Sequence, residues 1–164
     1  MRALFAPAAL FGLAALLLAP AAPFLAGCDA DPTTCDSGVE LEVEDRTPAG
    51  TTLGATVRPG DCLILDYEGR RASDGVAFQG GTATSAALFT GNLIPGFQIA
   101  LVGSQSRGLP ALRTGQSVRI TIPPELAYGI ADQSNDEGTG IPACSVLQFD
   151  VTVRDTATPS RCVR

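Results

Sequence analysis

The sequence contains no histidine, no lysine and no tryptophan. Without histidine it lacks the side chain that most often acts as a general base near neutral pH, and also the commonest metal ligand. Its 11 basic residues are all arginine, and 17 acidic residues give a formal net charge of −6. Nucleic-acid binding needs a concentration of basic charge to neutralise phosphates, so this balance argues against a nucleic-acid partner. No Cys-x-x-C pair is present, which argues against a zinc site or a thioredoxin-like motif.

The apolar residues are concentrated near the N-terminus. After Arg2, residues 4–19 are rich in leucine and alanine. Prolines leave fewer than the ~18–20 uninterrupted apolar residues that a membrane-spanning helix needs. A small-residue site, Leu25-Ala26-Gly27-Cys28, follows. This pattern predicts that residues 1–27 are a secretory signal peptide.

Leu25-Ala26-Gly27-Cys28 also resembles a bacterial lipobox. The resemblance implies that the Cys28 thiol receives a diacylglycerol, that palmitate or similar acyl chains are added, and that cleavage makes Cys28 the first residue. Buried acyl chains would hold the protein on a lipid bilayer, at about 0.8 kcal/mol for each methylene. We therefore expect a cell-envelope lipoprotein that faces the periplasm or the exterior. Residues 28–38 form the lipidated cysteine and a tether, and either the inner or the outer membrane is compatible with the sequence.

Four further cysteines remain at Cys35, Cys62, Cys144 and Cys162. An even number in an exported domain favours disulfide bonds over reduced, buried thiols.

Alternation of apolar and polar residues dominates the rest of the chain and predicts strands. The predicted strands cover residues 39–44, 62–68, a segment that starts at 76, 116–122 and 145–153. A single stretch has helical spacing, with Phe97, Ala100 and Leu101 on one face. Pro95 suits its first turn and Gly103 its end. These patterns predict an α+β domain over residues 39–155, an antiparallel sheet with one short helix, followed by a tail over 156–164.

Several motifs occur together in one order between residues 62 and 153. They are Leu65-Asp66-Tyr67-Glu68-Gly69 with Asp74-Gly75-Val76-Ala77-Phe78, Leu93-Ile94-Pro95-Gly96-Phe97, Ile122-Pro123-Pro124-Glu125-Leu126-Ala127-Tyr128-Gly129, and Ile141-Pro142 with Leu147-Gln148-Phe149-Asp150-Val151. In these motifs the sequence resembles the FKBP-type peptidyl-prolyl cis–trans isomerases. The resemblance implies a five-stranded antiparallel sheet of order 1-4-5-2-3, wrapped around one short helix, and no cofactor.

The resemblance also implies an active site in an apolar pocket between helix and sheet. The implied catalytic residues are Tyr67, Phe78, Ile94, Phe97, Tyr128 and Phe149, and the implied substrate-binding residues are Gln79, Leu93 and Ile141. Phe97 stands where the family usually has tryptophan. Tyr128 stands where the family has a tyrosine whose hydroxyl donates a hydrogen bond to a substrate carbonyl. For Phe149 and Ile141 taken alone, plain core packing is the favoured interpretation.

The reaction implied is rotation about X–Pro bonds of exported proteins, and macrolide inhibitors are implied as further ligands. The barrier of about 18–20 kcal/mol comes from amide resonance. A twisted amide is less polar than a planar one, so an apolar pocket that prefers it accelerates rotation without a nucleophile or metal. The alternative is a proline-peptide-binding module or envelope chaperone with little catalysis.

Three departures from the family bear on that alternative. Gln79 replaces a family aspartate. Residues 82–90 are small and polar, with Ala86 near the usual position of a pocket phenylalanine. The loops 102–115 and 130–140 are long, and the second is acidic. It is either a substrate-selection element or a solvated insertion.

The family strand order further implies how the cysteines pair. It brings Cys35 close to Cys144 at one end of the sheet, and Cys62 close to Cys162.

Overall fold

The structure is a computed structural model that describes residues 34–87 and 93–157, without the side chains of 85–87. Within these ranges no helix is both long and apolar enough to cross a membrane.

The described residues form one five-stranded antiparallel sheet and one α-helix. The elements are β1 (Glu42–Asp45), β2 (Cys62–Arg71), β3 (Ala77–Ala87), α1 (Pro95–Val102), β4 (Ser117–Ile122) and β5 (Leu147–Ala157), with short 3-10 turns at Gln105–Arg107 and Pro124–Leu126. The strands lie in the order β1-β4-β5-β2-β3. The fold class and strand order predicted from the sequence are therefore confirmed.

The first strand is shorter than predicted, because it begins at Glu42 rather than at residue 39. The register pairs Glu42 with Thr121, which places residue 40 opposite Pro123. Proline has no N–H to donate, so the ladder cannot continue past the end of β4. Leu41 is nevertheless buried and keeps its place on the core face.

The last strand is longer than predicted, and it continues two residues past the expected domain end at residue 155. Thr156 and Ala157 pair with Leu63 and Cys62 of β2. The side chains of these two residues are polar or small, so they show no alternation of apolar and polar residues. Pairing with β2, itself a long strand, extends β5 here.

The core lies between α1 and one face of the sheet. On β4, Val118, Ile120 and Ile122 alternate with half-buried residues, as the sequence pattern predicts. Ala100 and Leu101 of α1 are fully buried against this face. The helix approaches so closely that a side chain at Gly96 would collide with Ile122.

A disulfide joins Cys35 to Cys144, with a Cα–Cα distance of 5.3 Å across 109 residues of sequence. This is the first of the two predicted pairings, and it attaches the predicted tether to the folded domain. Cys62 is also disulfide-bonded. Its predicted partner Cys162, like the lipidation site Cys28, lies outside the described residues.

Candidate active site

Four aromatic rings from four elements meet at one end of the helix. The Phe97 ring of α1 lies 5.0 Å from that of Phe149 on β5 and 6.4 Å from that of Tyr67 on β2, measured between centroids. Phe78 of β3 packs against Phe149 at 5.6 Å with an interplanar angle of 86°. All three pairs are edge-to-face, the arrangement that the ring quadrupole favours. We call Tyr67, Phe78, Phe97 and Phe149 the aromatic cluster.

The members of the aromatic cluster differ in exposure. Phe97 and Phe149 are only 6% and 5% exposed, and they form the floor. Tyr67 and Phe78 are half-buried at the side. The structure therefore brings together four of the five aromatic residues that the family resemblance implies for the pocket. Because the Phe97 and Phe149 side chains are buried, they also form part of the hydrophobic core.

Gly69 is a site residue that the sequence analysis did not identify. It lies near the end of β2, opposite Phe149 on one side and Gln79 on the other. A Cβ atom there would lie 2.7 Å from Cε1 of Phe149 and 2.8 Å from Cε2 and Cζ of Phe78. Two rings occupy the space of the missing side chain. A glycine inside a strand pattern often marks such a close approach, so Gly69 itself was the feature of the sequence that could have identified this part of the site.

Leu93 and Ile94 directly precede α1. Both are half-buried and pack against the core. Ile94 has φ −58° and ψ 142°, an extended conformation that the following proline favours. Its carbonyl accepts a hydrogen bond from the N–H of Gln98 at 3.1 Å. Its own N–H donates to no acceptor among the described residues. It can therefore donate to a ligand, as the resemblance implies.

Tyr128 lies on the rim of the site and is 36% exposed. It follows the 3-10 turn Pro124–Leu126, and the N–H of Gly129 donates to the Pro124 carbonyl at 2.8 Å. This closed turn presents the Tyr128 ring outward. Within the described part of the chain its hydroxyl has no hydrogen-bond partner.

A groove of about 360 Å³ continues from the aromatic cluster along the rim. Phe78 and Ile141 give it apolar surface, and Tyr128, Gln79 and Gln133 give it polar groups. Neither glutamine side chain has a hydrogen-bond partner among the described residues. Gln79 is exposed, so its amide is free to meet a ligand in the groove.

The long loop over residues 130–140 forms the outer wall of this groove. Gln133 and Ile141 exchange backbone hydrogen bonds of 2.8 and 3.0 Å, which closes the loop at its base. The Asn135 side-chain oxygen accepts from the N–H groups of Thr139 and Gly140 at 3.0 and 3.1 Å. The loop is thus internally bonded.

Arg71 connects this loop to the turn between β2 and β3. Its guanidinium donates to the Gly140 carbonyl at 2.8 Å and to both carboxylate oxygens of Asp74. The hydrogen bonds from Arg71 to the Asp74 carboxylate are the largest cause that lowers the pKa of Asp74 from its ordinary value. Like Gly69, Arg71 was not predicted as a site residue. It carried no local signal, because its partner Gly140 lies 69 residues away.

The acidic residues Asp132, Asp136 and Glu137 of the loop are exposed. The pKa of Asp132 is lowered by hydrogen bonds from Ser134. In the described ranges no three acidic, cysteine or histidine residues are grouped so as to hold a metal ion. On the opposite wall, the Ala86 side chain and residues 88–90 lie outside the described part of the chain.

Comparison with known proteins gives the family. The family model for FKBP-type peptidyl-prolyl cis-trans isomerases matches residues 54–154. FK506-binding protein 4 of Chaetomium thermophilum is 36% identical over 113 residues, which are 68% of this chain and 20% of that protein. FK506-binding protein 2 of Candida glabrata is 29% identical over 124 residues, 73% of this chain and 82% of that protein. The chain spans about a fifth of the length of several relatives that it matches.

A solved structure gives the same result. The crystal structure of AtFKBP13 superposes with a TM-score of 0.59 at 28% identity, covering 76% of this chain and 98% of that one. Residues 54–154, which the family model matches, contain the whole of the aromatic cluster. The chain therefore belongs to the FKBP-type peptidyl-prolyl cis–trans isomerases.

Proposed function

We propose that this protein accelerates rotation about X–Pro bonds in exported polypeptides. The observation that carries the proposal is the aromatic cluster, which is walled by the helix on one side and by the sheet on the other. It offers an apolar surface beside two polar groups that have no hydrogen-bond partner among the described residues, the N–H of Ile94 and the hydroxyl of Tyr128.

The cluster explains how rotation would be accelerated. A proline ring seated over Phe97 would be removed from water together with its preceding amide. A twisted amide loses resonance and polarity, so the apolar surface stabilises it more than the planar ground state. The Ile94 N–H and the Tyr128 hydroxyl would hold the carbonyl before proline while the bond turns. Each ~1.4 kcal/mol of such preference is about tenfold in rate.

The groove beside Gln79 and Gln133 supports a role for the 130–140 loop in substrate selection. The two glutamine amides, which are unbonded within the described ranges, can donate to and accept from the main chain of a polypeptide that flanks the proline. We also propose that macrolide inhibitors bind at the aromatic cluster, since its apolar rings suit such ligands.

We further propose that the protein works at a membrane of the cell envelope, anchored through acylated Cys28. The lipobox-like sequence supports the anchor. The Cys35–Cys144 disulfide and the disulfide-bonded state of Cys62 support an oxidising compartment, because cytosolic thiols are kept reduced. Metabolic labelling with a palmitate analogue tests this, and a Cys28→Ala variant that still carries label would contradict it.

The alternative is a module that binds proline-containing peptides and turns them over slowly. Two features favour it: neutral Gln79 in place of an acidic residue, and the small, partly exposed wall at residues 82–84. A protease-coupled assay on an Ala-Leu-Pro peptide separates the two functions. We expect acceleration of cis–trans exchange at micromolar protein. Tight peptide binding without acceleration would establish the binding module instead.

A further inference from the structure

Asp66 precedes Tyr67 of the aromatic cluster on β2. Successive side chains of a strand point to opposite faces of the sheet. The Asp66 carboxylate therefore lies on the outer face, away from the helix and the rings. It cannot touch a ligand at the aromatic cluster, yet it has contacts with both neighbouring strands.

The first contact is with an irregularity in β3. Leu65 pairs with Thr84, but Tyr67 pairs with Gly81, so Thr82 and Ala83 together lie opposite Asp66. This is a β-bulge, with one extra residue in β3. Ala83 has φ +50°, in the left-handed region that residues other than glycine rarely adopt. Its N–H donates to Oδ1 of Asp66 at 2.9 Å.

The second contact is with an irregularity in β5. Ile64 pairs with Asp155, but Leu65 pairs with Val153, so Arg154 is the extra residue of a second bulge. Its guanidinium pairs with the other oxygen of the same carboxylate, and the distance from Nε to Oδ2 is 2.6 Å. These hydrogen bonds lower the pKa of Asp66, with the bond from Arg154 as the largest cause. One carboxylate thus bonds to the extra residue of each flanking strand.

The bulge in β3 is in contact with the aromatic cluster. Gly81, the last regular partner before the bulge, pairs with Tyr67. A Cβ atom on Gly81 would lie 3.5 Å from Cε1 of the Tyr67 ring. The backbone of β3 therefore packs against that ring at this point. Bulges near active sites commonly redirect a side chain, and this one sets the wall against which Tyr67 rests.

We propose that Asp66 is a positioning residue for the isomerisation. It holds both bulges in place, and through them it fixes the Tyr67 ring against Phe97. This inference rests on the proposed function, since it concerns the efficiency of the same site.

The test is the Asp66→Asn variant, with Asp150→Asn as the matched control. Ala83 and Arg154 donate to different oxygens of the carboxylate, and asparagine replaces one of these oxygens by an NH2 donor, so one of the two contacts is lost. Asp150 also bonds two-fold to an arginine across strands, with distances of 2.8 and 2.9 Å to Arg119, but in a regular ladder without a bulge. We expect Asp66→Asn to lower kcat about three- to tenfold with little change in KM, because small displacements of a pocket wall reduce catalysis. We expect the control to leave kcat unchanged.

A second substitution separates positioning from general destabilisation. Glycine adopts a positive φ without steric penalty, so Ala83→Gly lets the bulge form with less help from the carboxylate. We expect Ala83→Gly, added to Asp66→Asn, to recover most of the lost kcat.

Three results would overturn the inference: full kcat in Asp66→Asn, an equal loss in Asp150→Asn, or no recovery in the double variant. An inactive wild-type protein would instead refute the proposed function. The amide ¹H and ¹⁵N shifts of Gly81 and Ala83 give a readout independent of activity. We expect them to move in Asp66→Asn and not in the control.

Discussion

Replacing Gly69 by alanine would place a methyl group directly beneath the aromatic cluster. The new carbon would lie 2.7 Å from Phe149 and 2.8 Å from Phe78, whereas carbon atoms in favourable contact are about 3.5–4.0 Å apart. Each ring must therefore move by roughly 1 Å. Phe149 cannot move alone, because its ring centroid is only 5.0 Å from that of Phe97. The displacement therefore affects both rings that form the floor of the site.

Two magnitudes follow from this displacement. Overpacking of this kind typically lowers the free energy of unfolding by about 1–3 kcal/mol. A misplacement of about 1 Å in a binding site can cost up to about a hundredfold in rate, so we expect kcat/KM to fall about ten- to a hundredfold. The loss of activity should thus exceed what partial unfolding explains.

The assay is protease-coupled isomerisation of an Ala-Leu-Pro peptide, alongside urea unfolding followed by circular dichroism. Gly80→Ala on the adjacent strand is the matched control, since its nearest contact would be the Tyr67 carbonyl oxygen at 3.3 Å. Gly69→Ala with wild-type kcat/KM would show that the rings do not have to hold this arrangement for activity.

Three other predictions use the same two assays. Tyr128→Phe should lower kcat/KM about three- to tenfold, the worth of one hydrogen bond, while stability stays the same because the hydroxyl has no partner among the described residues. An unchanged rate would remove the hydroxyl from the mechanism. Replacing both Cys35 and Cys144 by alanine should lower the free energy of unfolding by about 2–4 kcal/mol, because the disulfide closes a long loop in the unfolded chain. A urea midpoint equal to that of the wild type would contradict this. Arg119 lowers the pKa of Asp150 in the folded protein. The contribution of the Arg119–Asp150 ion pair to the free energy of unfolding is therefore present above the ordinary aspartate pKa of 3.8. It is lost as pH falls through the lower pKa that Asp150 has in the folded protein. The urea midpoint should decline below about pH 4, less steeply in Asp150→Asn, and equal slopes would count against the ion pair.

Local patterns were sufficient to predict the helix and the central strands. The spacing of Phe97, Ala100 and Leu101 reflects the helix face that is buried, and the alternation along β4 reflects its buried face. Both signals arise within a few residues, so they can be read without knowing the partner. The start of β1 could not be read this way, because it is set by Pro123, which directly follows the end of β4.

The parts of the site that escaped prediction depend on how strands align with one another. The bulges at Ala83 and Arg154 exist only in the register of β3 and β5 against β2. Arg71 acquires its role from a carbonyl 69 residues away. The motif resemblance identified the rings and included Gly69, but it did not reveal that Phe149 and Phe78 occupy the space of the missing side chain.

The covalent bond at Cys35 also limits how far the domain can travel from a lipid surface. With Cys28 acylated as proposed, the chain up to Cys35 reaches at most about 25 Å when fully extended. Cys35 is bonded to Cys144, which lies three residues after Ile141 in the sequence, and Ile141 lines the groove. The mouth of the cleft would then stay close to the bilayer that holds the anchor, whether that is the inner or the outer membrane.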